Sequence, residues 1–511
     1  MFDRVGATAL SATRRTRELD ELSNGGPVDV LVIGGGVTGT GVALDAASRG
    51  LSVALVERHD LAAGTSRWSS KLAHGGLRYI AGGQLGVAWE SAVERNRLAT
   101  AIAPHLVRPL SFLMPMYADN PPVRRAYPRG SAAASRALFV VADVMRAAAR
   151  TPAWLPPTTW IGAGETRHLV PTIGPIRGSF VHVDGALEDD ARLVVALART
   201  AAGFGARILT RCSAIDVARA GATVRDELTG AECDIDARAV VVAAGVWSGN
   251  LVDDVRLTPG KGAHLVLPAA ALDYPQAAFN VLLPGSRNRF VFAAPRPDGL
   301  VLVGLTDDPV DTIEDVPSVS ADDERFLLET LSTGLSRPVG TDDVIGRYAG
   351  LRPLLGDRAQ RSADISRRHA LLERDGVLVI VGGKLTTYRR MAQDAVDRVA
   401  TRLDHRRPCR TAALPLVGAT TRPGPEASRL RRRFGAEAAM VADAVPVGGL
   451  EAIAPGVPAL RCEVPWAVAV EGALDAADVL DRRLRLDLVP AWRAAAAPYV
   501  EEMLAEQAGQ R

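Results

Sequence analysis

The chain has 511 residues, of which 48% are hydrophobic and 23% charged, and its net charge is +2. That balance belongs to a folded protein of two or three domains and excludes a disordered chain. Near-neutral charge provides no field toward nucleic acid. The four cysteines (Cys212, Cys233, Cys409 and Cys462) are too scattered for a disulfide framework or a metal site, so no metal is expected. Residues 1–22 mix Arg with Asp and Glu and lack the apolar run of a signal peptide. No apolar stretch approaches the roughly 18 residues of a membrane span. The expectation is a cytoplasmic protein whose membrane contact is peripheral.

In chain order, residues 1–26 read as a polar tail ending in the turn cluster Asn24-Gly25-Gly26-Pro27. Val28 to Ile33 is a continuous apolar run, as a buried parallel strand should be. Glycines follow, then an Ala-rich helix from Val42 to Ser48, then a second strand from Ser52 to Glu57. This βαβ order opens a doubly wound α/β sheet. Residues 110–180 are less regular and Pro-rich, and Asp189 to Gly203 reads as a helix. Ala239 to Ala244 is another buried strand, residues 260–345 suggest an antiparallel sheet laid over a site, and Val377 to Val381 returns to the parallel type. Helical spacing dominates beyond about 405. The expected division is a tail (1–26), an oxidoreductase domain (27–405) with a discontinuous nucleotide-binding part, and a C-terminal helical domain (406–511).

Gly34-Gly35-Gly36-Val37-Thr38-Gly39 fits GxGxxG between strand and helix. Gly34 permits the tight turn, Gly36 lets the backbone approach a pyrophosphate, and Gly39 permits close helix–strand packing. The anion then meets the helix N-terminus around Thr38, and Glu57 ends the second strand where a ribose diol would sit. The run Gly64-Thr65-Ser66-Arg67-Trp68-Ser69-Ser70-Lys71-Leu72 is poor core material and suits a loop around a flavin dinucleotide. Gly382-Gly383-Lys384-Leu385-Thr386 ends a strand in the same manner, with Lys384 placed to stabilise charge at the pyrimidine end of a flavin. Only three of the 60 basic residues are lysine (Lys71, Lys261 and Lys384), and all three fall in motifs. Where Arg is so favoured, a retained Lys suggests a place for a compact ammonium.

The segments IGGGVTGTGVALDAASRGL, SSKLAHGGLRY, YAGLRPL and GGKLTTYR resemble the FAD-dependent respiratory glycerol-3-phosphate dehydrogenases, strongly over residues 27–400 and more weakly through ALDAADVLDRRLRL. The resemblance implies a glycine/D-amino-acid-oxidase-like fold with FAD as cofactor. It also implies oxidation of sn-glycerol 3-phosphate to dihydroxyacetone phosphate by hydride transfer from C2 to flavin N5, with a quinone as electron acceptor. Arg78, Arg352 and Arg367 are implied as substrate contacts, with Tyr79 and Lys384 close by. Lys261-Gly262-Ala263-His264 is similar to a segment of that family, and His264 is the candidate general base or substrate-orienting group. Catalytic roles thus fall to His264, Arg352 and Lys384. The turn at Gly245 resembles the one that closes over the dinucleotide. Arg429 to Arg433 (RLRRR) is read as a solvated helix face, or more sharply as a contact with anionic lipid. A homodimer is compatible with the sequence but not required by it. Competing readings are an oxidase using O2, a related FAD amine or amino-acid oxidoreductase, an NAD-linked enzyme and a non-catalytic flavin-binding protein.

Overall fold

The computed structural model describes residues 2–76, 79–80, 83–117, 131–148, 155–283, 289–355, 368–424, 427–445 and 447–509. The apolar runs found in the sequence form the first of two sheets. Parallel strands β1 (Val28–Ile33), β2 (Val53–Glu57), β7 (Arg207–Thr210), β10 (Glu232–Val242) and β18 (Val377–Gly382) lie in the order 18-10-1-2-7. Antiparallel β17 (His369–Arg374) forms one edge, and the hairpin β8 (Cys212–Ala218)–β9 (Gly221–Asp226) joins β10. Val30, Val32, Leu55 and Val241 are fully buried because helices cover the sheet. Helix Val37–Ser48 packs between helices Asp190–Gly203 and Tyr388–Arg402 on one face. The helix after β1 begins five residues before the Ala-rich stretch, at the glycine turn itself.

The second sheet is larger than residues 260–345 alone. It contains β11 (Thr258–Pro268), β12 (Ala278–Leu282), β13 (Phe290–Pro295), β14 (Leu300–Gly304), β15 (Asp308–Pro309) and β16 (Gly346–Leu354). It also draws on β3 (Leu72–Ala73), from the loop read as wrapping a dinucleotide, and on β4 (Val107–Tyr117), β5 (Thr159–Gly162) and β6 (Ile176–Leu187), which lie largely in the stretch that read as irregular. Pro109 and Pro115 lie inside β4, which masks its strand character in the sequence. One face of this sheet buries Ala263, Leu265, Leu267, Val301 and Val303 beneath helix Ala321–Ser332. Period-two alternation sends His264 and Arg352 to the other face, toward the first sheet.

The N-terminal segment is not a loose tail. Helix Ala12–Ser23 places Leu19 and Leu22 in the core of the parallel sheet. Buried Arg15 donates to the Thr210 carbonyl at 2.6 Å and to Asp226 at 2.5 Å. The chain ahead of it lies against the C-terminal domain, where the Leu10 amide donates to the Val470 carbonyl. A polar composition concealed this because the helix buries only one narrow stripe.

The C-terminal part is helical and joins the rest through buried ion pairs. Arg483 donates to both Asp60 oxygens at 2.7 and 2.9 Å, with Arg482 2.7 Å from the same carboxylate. Arg192 grips Glu471, and Arg199 grips Glu437 at 2.7 and 2.8 Å. The two arginines hold the Asp60 carboxyl below its usual range against the opposing effect of burial. Three arginines of RLRRR belong to this lattice, so the solvated-face reading holds only at exposed Arg431. Arg429 pairs with Glu463 at 2.6 Å, Arg432 lies 3.4 Å from Glu188, and Arg433 is buried against Asp189 and Glu463. Substituting Asp60 with Ala takes from buried Arg483 the carboxylate it binds and leaves Arg482 with Asp478 alone, and breaking such a buried pair costs about 3–5 kcal/mol. A urea melt of Asp60→Ala should show that loss, and a midpoint equal to wild type would show the lattice to be unimportant.

Candidate active site

The carboxyl ends of β1, β2, β10 and β18 meet along one edge of the parallel sheet, where such sheets bind ligands. A cavity of about 770 Å³ opens there and runs to the polar face of the second sheet. Gly34 turns at φ +116°, and a Cβ there would lie 2.6 Å from the Ala243 carbonyl oxygen. Helix Val37–Ser48 then starts with Gly36 as its cap residue, so its positive end faces the cavity beside Thr38. Ser66 accepts from the Val37 amide at 2.9 Å and so fastens the following loop to that helix end. Gly39 lies behind the cavity, and a Cβ there would strike the Gly34 carbonyl oxygen.

Glu57 lines the cavity and is itself held in place. One carboxylate oxygen accepts from the Gly35 amide at 2.6 Å and the other from the His59 amide at 2.8 Å. Burial nevertheless raises its carboxyl above the usual value. Glycine where a backbone must approach a pyrophosphate, a helix N-terminus and an anchored acid at the second strand end together suit a dinucleotide. A cavity of this size also matches a cofactor site.

Among the loop residues, Thr65, Ser66, Ser69, Ser70 and Leu72 line the cavity, but several hydroxyls are committed to the protein. Thr65 donates to the Leu351 carbonyl at 2.6 Å and Ser69 to Asp190 at 2.7 Å. Lys71 corrects the sequence reading. Its backbone turns at φ +54° and points the side chain away from the cavity, toward the start of helix Asp190–Gly203. There Nζ lies 3.1 Å from Asp190 and 3.1 Å from the Arg67 carbonyl oxygen. Burial pushes its ammonium down to about 8, with Asp190 opposing the shift. Lys71 therefore braces the loop from behind. Lys261 likewise serves structure, bonded to Asp323 at 2.6 Å.

At the far end of the cavity, β11 and β16 pair so that His264 faces Tyr348 and Gly260 faces Arg352. Arg352, Gly262 and His264 then share one face. The bare Gly262 leaves room for the guanidinium, since a Cβ would lie 2.2 Å from its Nη2. Arg352 donates to Asp307 at 2.8 Å. His264 is 2% exposed, and its Nε2 is 2.9 Å from Ser70 Oγ. Burial, with Lys71 and Arg352 adding positive charge, holds the imidazole well below its ordinary range, so it is neutral at physiological pH.

Lys384 enters from the end of β18. It bonds Ser91 on helix Leu85–Arg97, and its Nζ lies 4.0 Å from the Tyr79 ring centroid. Gly383, Leu385 and Thr386 line the cavity beside it, and Gly245 follows β10 on the same rim. The structure thus brings together His264, Arg352, Lys384 and Tyr79, while Arg78 and Arg367 lie outside the described residues. Sequence reasoning passed over Asp307, Asn280, His182 and Ser91. Asp307 carried a signal, an acidic pair directly after a strand, but strand pairing alone set it against Arg352.

Residues 29–395 match a family described as FAD dependent oxidoreductase, and residues 409–510 match one described as C-terminal domain of alpha-glycerophosphate oxidase. Fold and cavity thus define an FAD-dependent oxidoreductase. Glycerol-3-phosphate dehydrogenase 1 of Mycobacterium tuberculosis (strain H37Rv) is 47% identical over 517 residues, covering 98% of this chain and 99% of that protein. A mitochondrial glycerol-3-phosphate dehydrogenase of Arabidopsis thaliana is 33% identical over 542 residues, covering 94% and 83%. The solved structure of glycerol-3-phosphate dehydrogenase from Bacillus halodurans complexed with FAD aligns with a TM-score of 0.74 at 27% identity, covering 97% and 94%. The chain belongs to the family of FAD-dependent glycerol-3-phosphate dehydrogenases, and its cofactor is FAD.

Gly34→Ala puts a methyl group where neither φ nor space allows it. The purified variant should carry far less flavin per chain, read from its visible absorption. A full flavin complement in that variant would mean the turn tolerates the methyl group.

Proposed function

We propose that this enzyme oxidises sn-glycerol 3-phosphate to dihydroxyacetone phosphate, passing the electrons to a membrane quinone in glycerol catabolism. The observation that carries the reading is one cavity joining a dinucleotide cradle to a polar pocket of Arg352, His264 and Lys384. Relatives named glycerol-3-phosphate dehydrogenase, aligned over nearly the whole chain, support the substrate. When bound, FAD supplies the acceptor at N5 for the hydride leaving C2.

The chain's own residues do the rest. Gly34, Gly36 and Thr38 receive the pyrophosphate at the helix N-terminus, and Glu57 receives the ribose. Ser66, Ser70, Leu72, Gly245, Gly383, Leu385 and Thr386 shape the wall along the cofactor. Arg352 binds the phosphate dianion through its planar fork, anchored by its bond to Asp307. The family resemblance assigns Arg78, Arg367 and Tyr79 to substrate binding as well. Neutral His264 takes the proton of the C2 hydroxyl, with Ser70 orienting the ring. Lys384 adds positive charge beside the cofactor where negative charge develops.

Two observations bear on the acceptor. The match to a domain described for alpha-glycerophosphate oxidase supports O2 as a second possibility. Among the described residues no helix is long and apolar enough to cross a membrane. Exposed Leu85 and Trp89 on helix Leu85–Arg97, and Val140 and Val144 on the adjacent helix Ser131–Ala148, support peripheral contact instead. The RLRRR run, with Arg429, Arg432 and Arg433 paired internally, does not.

The reading is tested by adding sn-glycerol 3-phosphate anaerobically to the flavin-loaded protein. Bleaching with this substrate but not with glycerol or amino acids is the expected result, and a flavin that stays oxidised sinks the substrate assignment. Comparing reoxidation by quinone with reoxidation by O2 then separates dehydrogenase from oxidase. Arg352→Lys removes the fork and should raise KM about 10- to 150-fold, equivalent to about 1.5–3 kcal/mol for a charged hydrogen bond. An unchanged KM removes Arg352 from phosphate binding. Because His264 is held neutral, the flavin-reduction rate at saturating sn-glycerol 3-phosphate, which is insensitive to titration of the free substrate's phosphate, should stay level as pH falls through about 6.5, the ordinary histidine value, and drop only at more acid pH. An acid limb centred near that value would contradict a buried neutral base.

A further inference from the structure

Five strands carry one row of residues across the cavity face of the second sheet. Tyr348 on β16 pairs with His264 on β11, His264 with Gly304 on β14, and Gly304 with Phe292 on β13. Phe292 in turn pairs with Asn280 on β12. Tyr348 and His264 are stacked nearly parallel, with ring centroids 4.6 Å apart and planes 7° from each other. Behind Tyr348, Trp68 continues the stack at 5.8 Å and 24°. The other flank of the imidazole is closed as tightly. A Cβ at Gly304 would lie 2.4 Å from His264 Cδ2, and Phe292 meets the ring edge-on at 6.1 Å.

Tyr348 is also tied to the loop that touches His264 directly. Its hydroxyl donates to the Ser69 carbonyl oxygen at 3.1 Å, while the next residue, Ser70, contacts His264 Nε2. The same loop is braced from behind. Lys71 Nζ lies 4.9 Å from the Tyr348 ring, and Arg485 of the C-terminal domain donates to the Arg67 carbonyl at 2.7 Å. Arg485 and Arg67 both lie against the Trp68 ring, at 5.2 and 4.2 Å.

We infer that Tyr348 is a positioning residue for His264, and that the Trp68–Tyr348–His264 stack fixes the plane of the catalytic imidazole relative to the flavin loop. This rests on the assignment of His264 as the base. Histidine on a strand keeps rotational freedom about the bond to its ring, and a base must be held within about 0.5 Å of its working position. One ring face lies on Tyr348, the edge meets Phe292, and the bare Gly304 admits the ring at its flank. Tyr348 touches neither substrate nor cofactor in this scheme. It acts only through the imidazole.

The test is anaerobic flavin reduction by sn-glycerol 3-phosphate in the flavin-loaded full chain, as a double-mutant cycle. Tyr348→Phe keeps the ring and loses one neutral hydrogen bond, so it should stay within about 10-fold of wild type. Tyr348→Leu removes the stack and should slow reduction about 100-fold, the cost of a misplaced reacting group, with KM for the substrate little changed. In a His264→Ala background the same Tyr348→Leu change should add less than about 3-fold, because the group it positions is gone. Gly304→Ala, which presses on the ring from its other side, keeps the test open if Tyr348→Leu fails to fold; it too should slow reduction only while His264 is present. A slow His264→Ala enzyme in which either change still costs its full factor overturns the inference alone. A His264→Ala enzyme reduced at the wild-type rate overturns the base assignment and the inference with it.

Discussion

The register between β11 and β16 is the constraint on which this site depends. Pairing His264 with Tyr348 and Gly260 with Arg352 sends imidazole and guanidinium to the same face, toward the cofactor cavity. A slip of one residue would turn a whole strand over, exchanging His264 for Ala263 or Leu265, which now fill the opposite core. That core, packed under helix Ala321–Ser332, is what holds the register. Hydrophobic burial on one side of the sheet thus fixes where polar chemistry stands on the other.

The two sheets divide the work by physical type. The parallel sheet is covered by helices and exposes only its carboxyl edge, where backbone amides and helix ends favour an anion. The mixed sheet can leave one face polar and still be stable, since its other face is buried. The cavity lies where the edge of the first meets the open face of the second. Neither sheet alone could present a pyrophosphate cradle and a buried neutral histidine together.

The C-terminal domain is joined by charge as well as by apolar contacts such as Leu488 and Val489 against Trp68 and Val266. Asp60, Asp189, Glu437, Glu463 and Glu471 each meet one or more buried arginines. Buried pairs of this kind contribute little net stability, but they are specific, because a misdocked partner leaves an unpaired charge in low dielectric. Since Asp60 and Arg67 stand on or beside the flavin loop, correct docking of the domain is coupled to the shape of that loop. The N-terminal segment adds to the clamp through Arg15 on its helix and Leu10 ahead of it, a role its polar composition did not suggest.

By itself the sequence determined the elements whose signals are local. The strand–glycine–helix–strand order around Gly34 and Glu57 is such a signal, as are the glycines ending β18 and the return of the chain to the parallel sheet. These depend on backbone chemistry within a few residues. The motifs also placed His264, Arg352 and Lys384 in the functional set. Tertiary structure alone decided which motif residues face the cavity. Lys71 sits inside a cofactor-type loop, yet a positive φ and the pull of Asp190 turn it inward. Arg429 to Arg433 looks like a surface run, but acids thirty or more residues away in sequence, Glu188 and Glu463, pair with Arg429, Arg432 and Arg433. Asp307 and Tyr348 acquire their roles only through partners on neighbouring strands. Charge pairing and strand registry join residues far apart in the chain, so no window of sequence contains them.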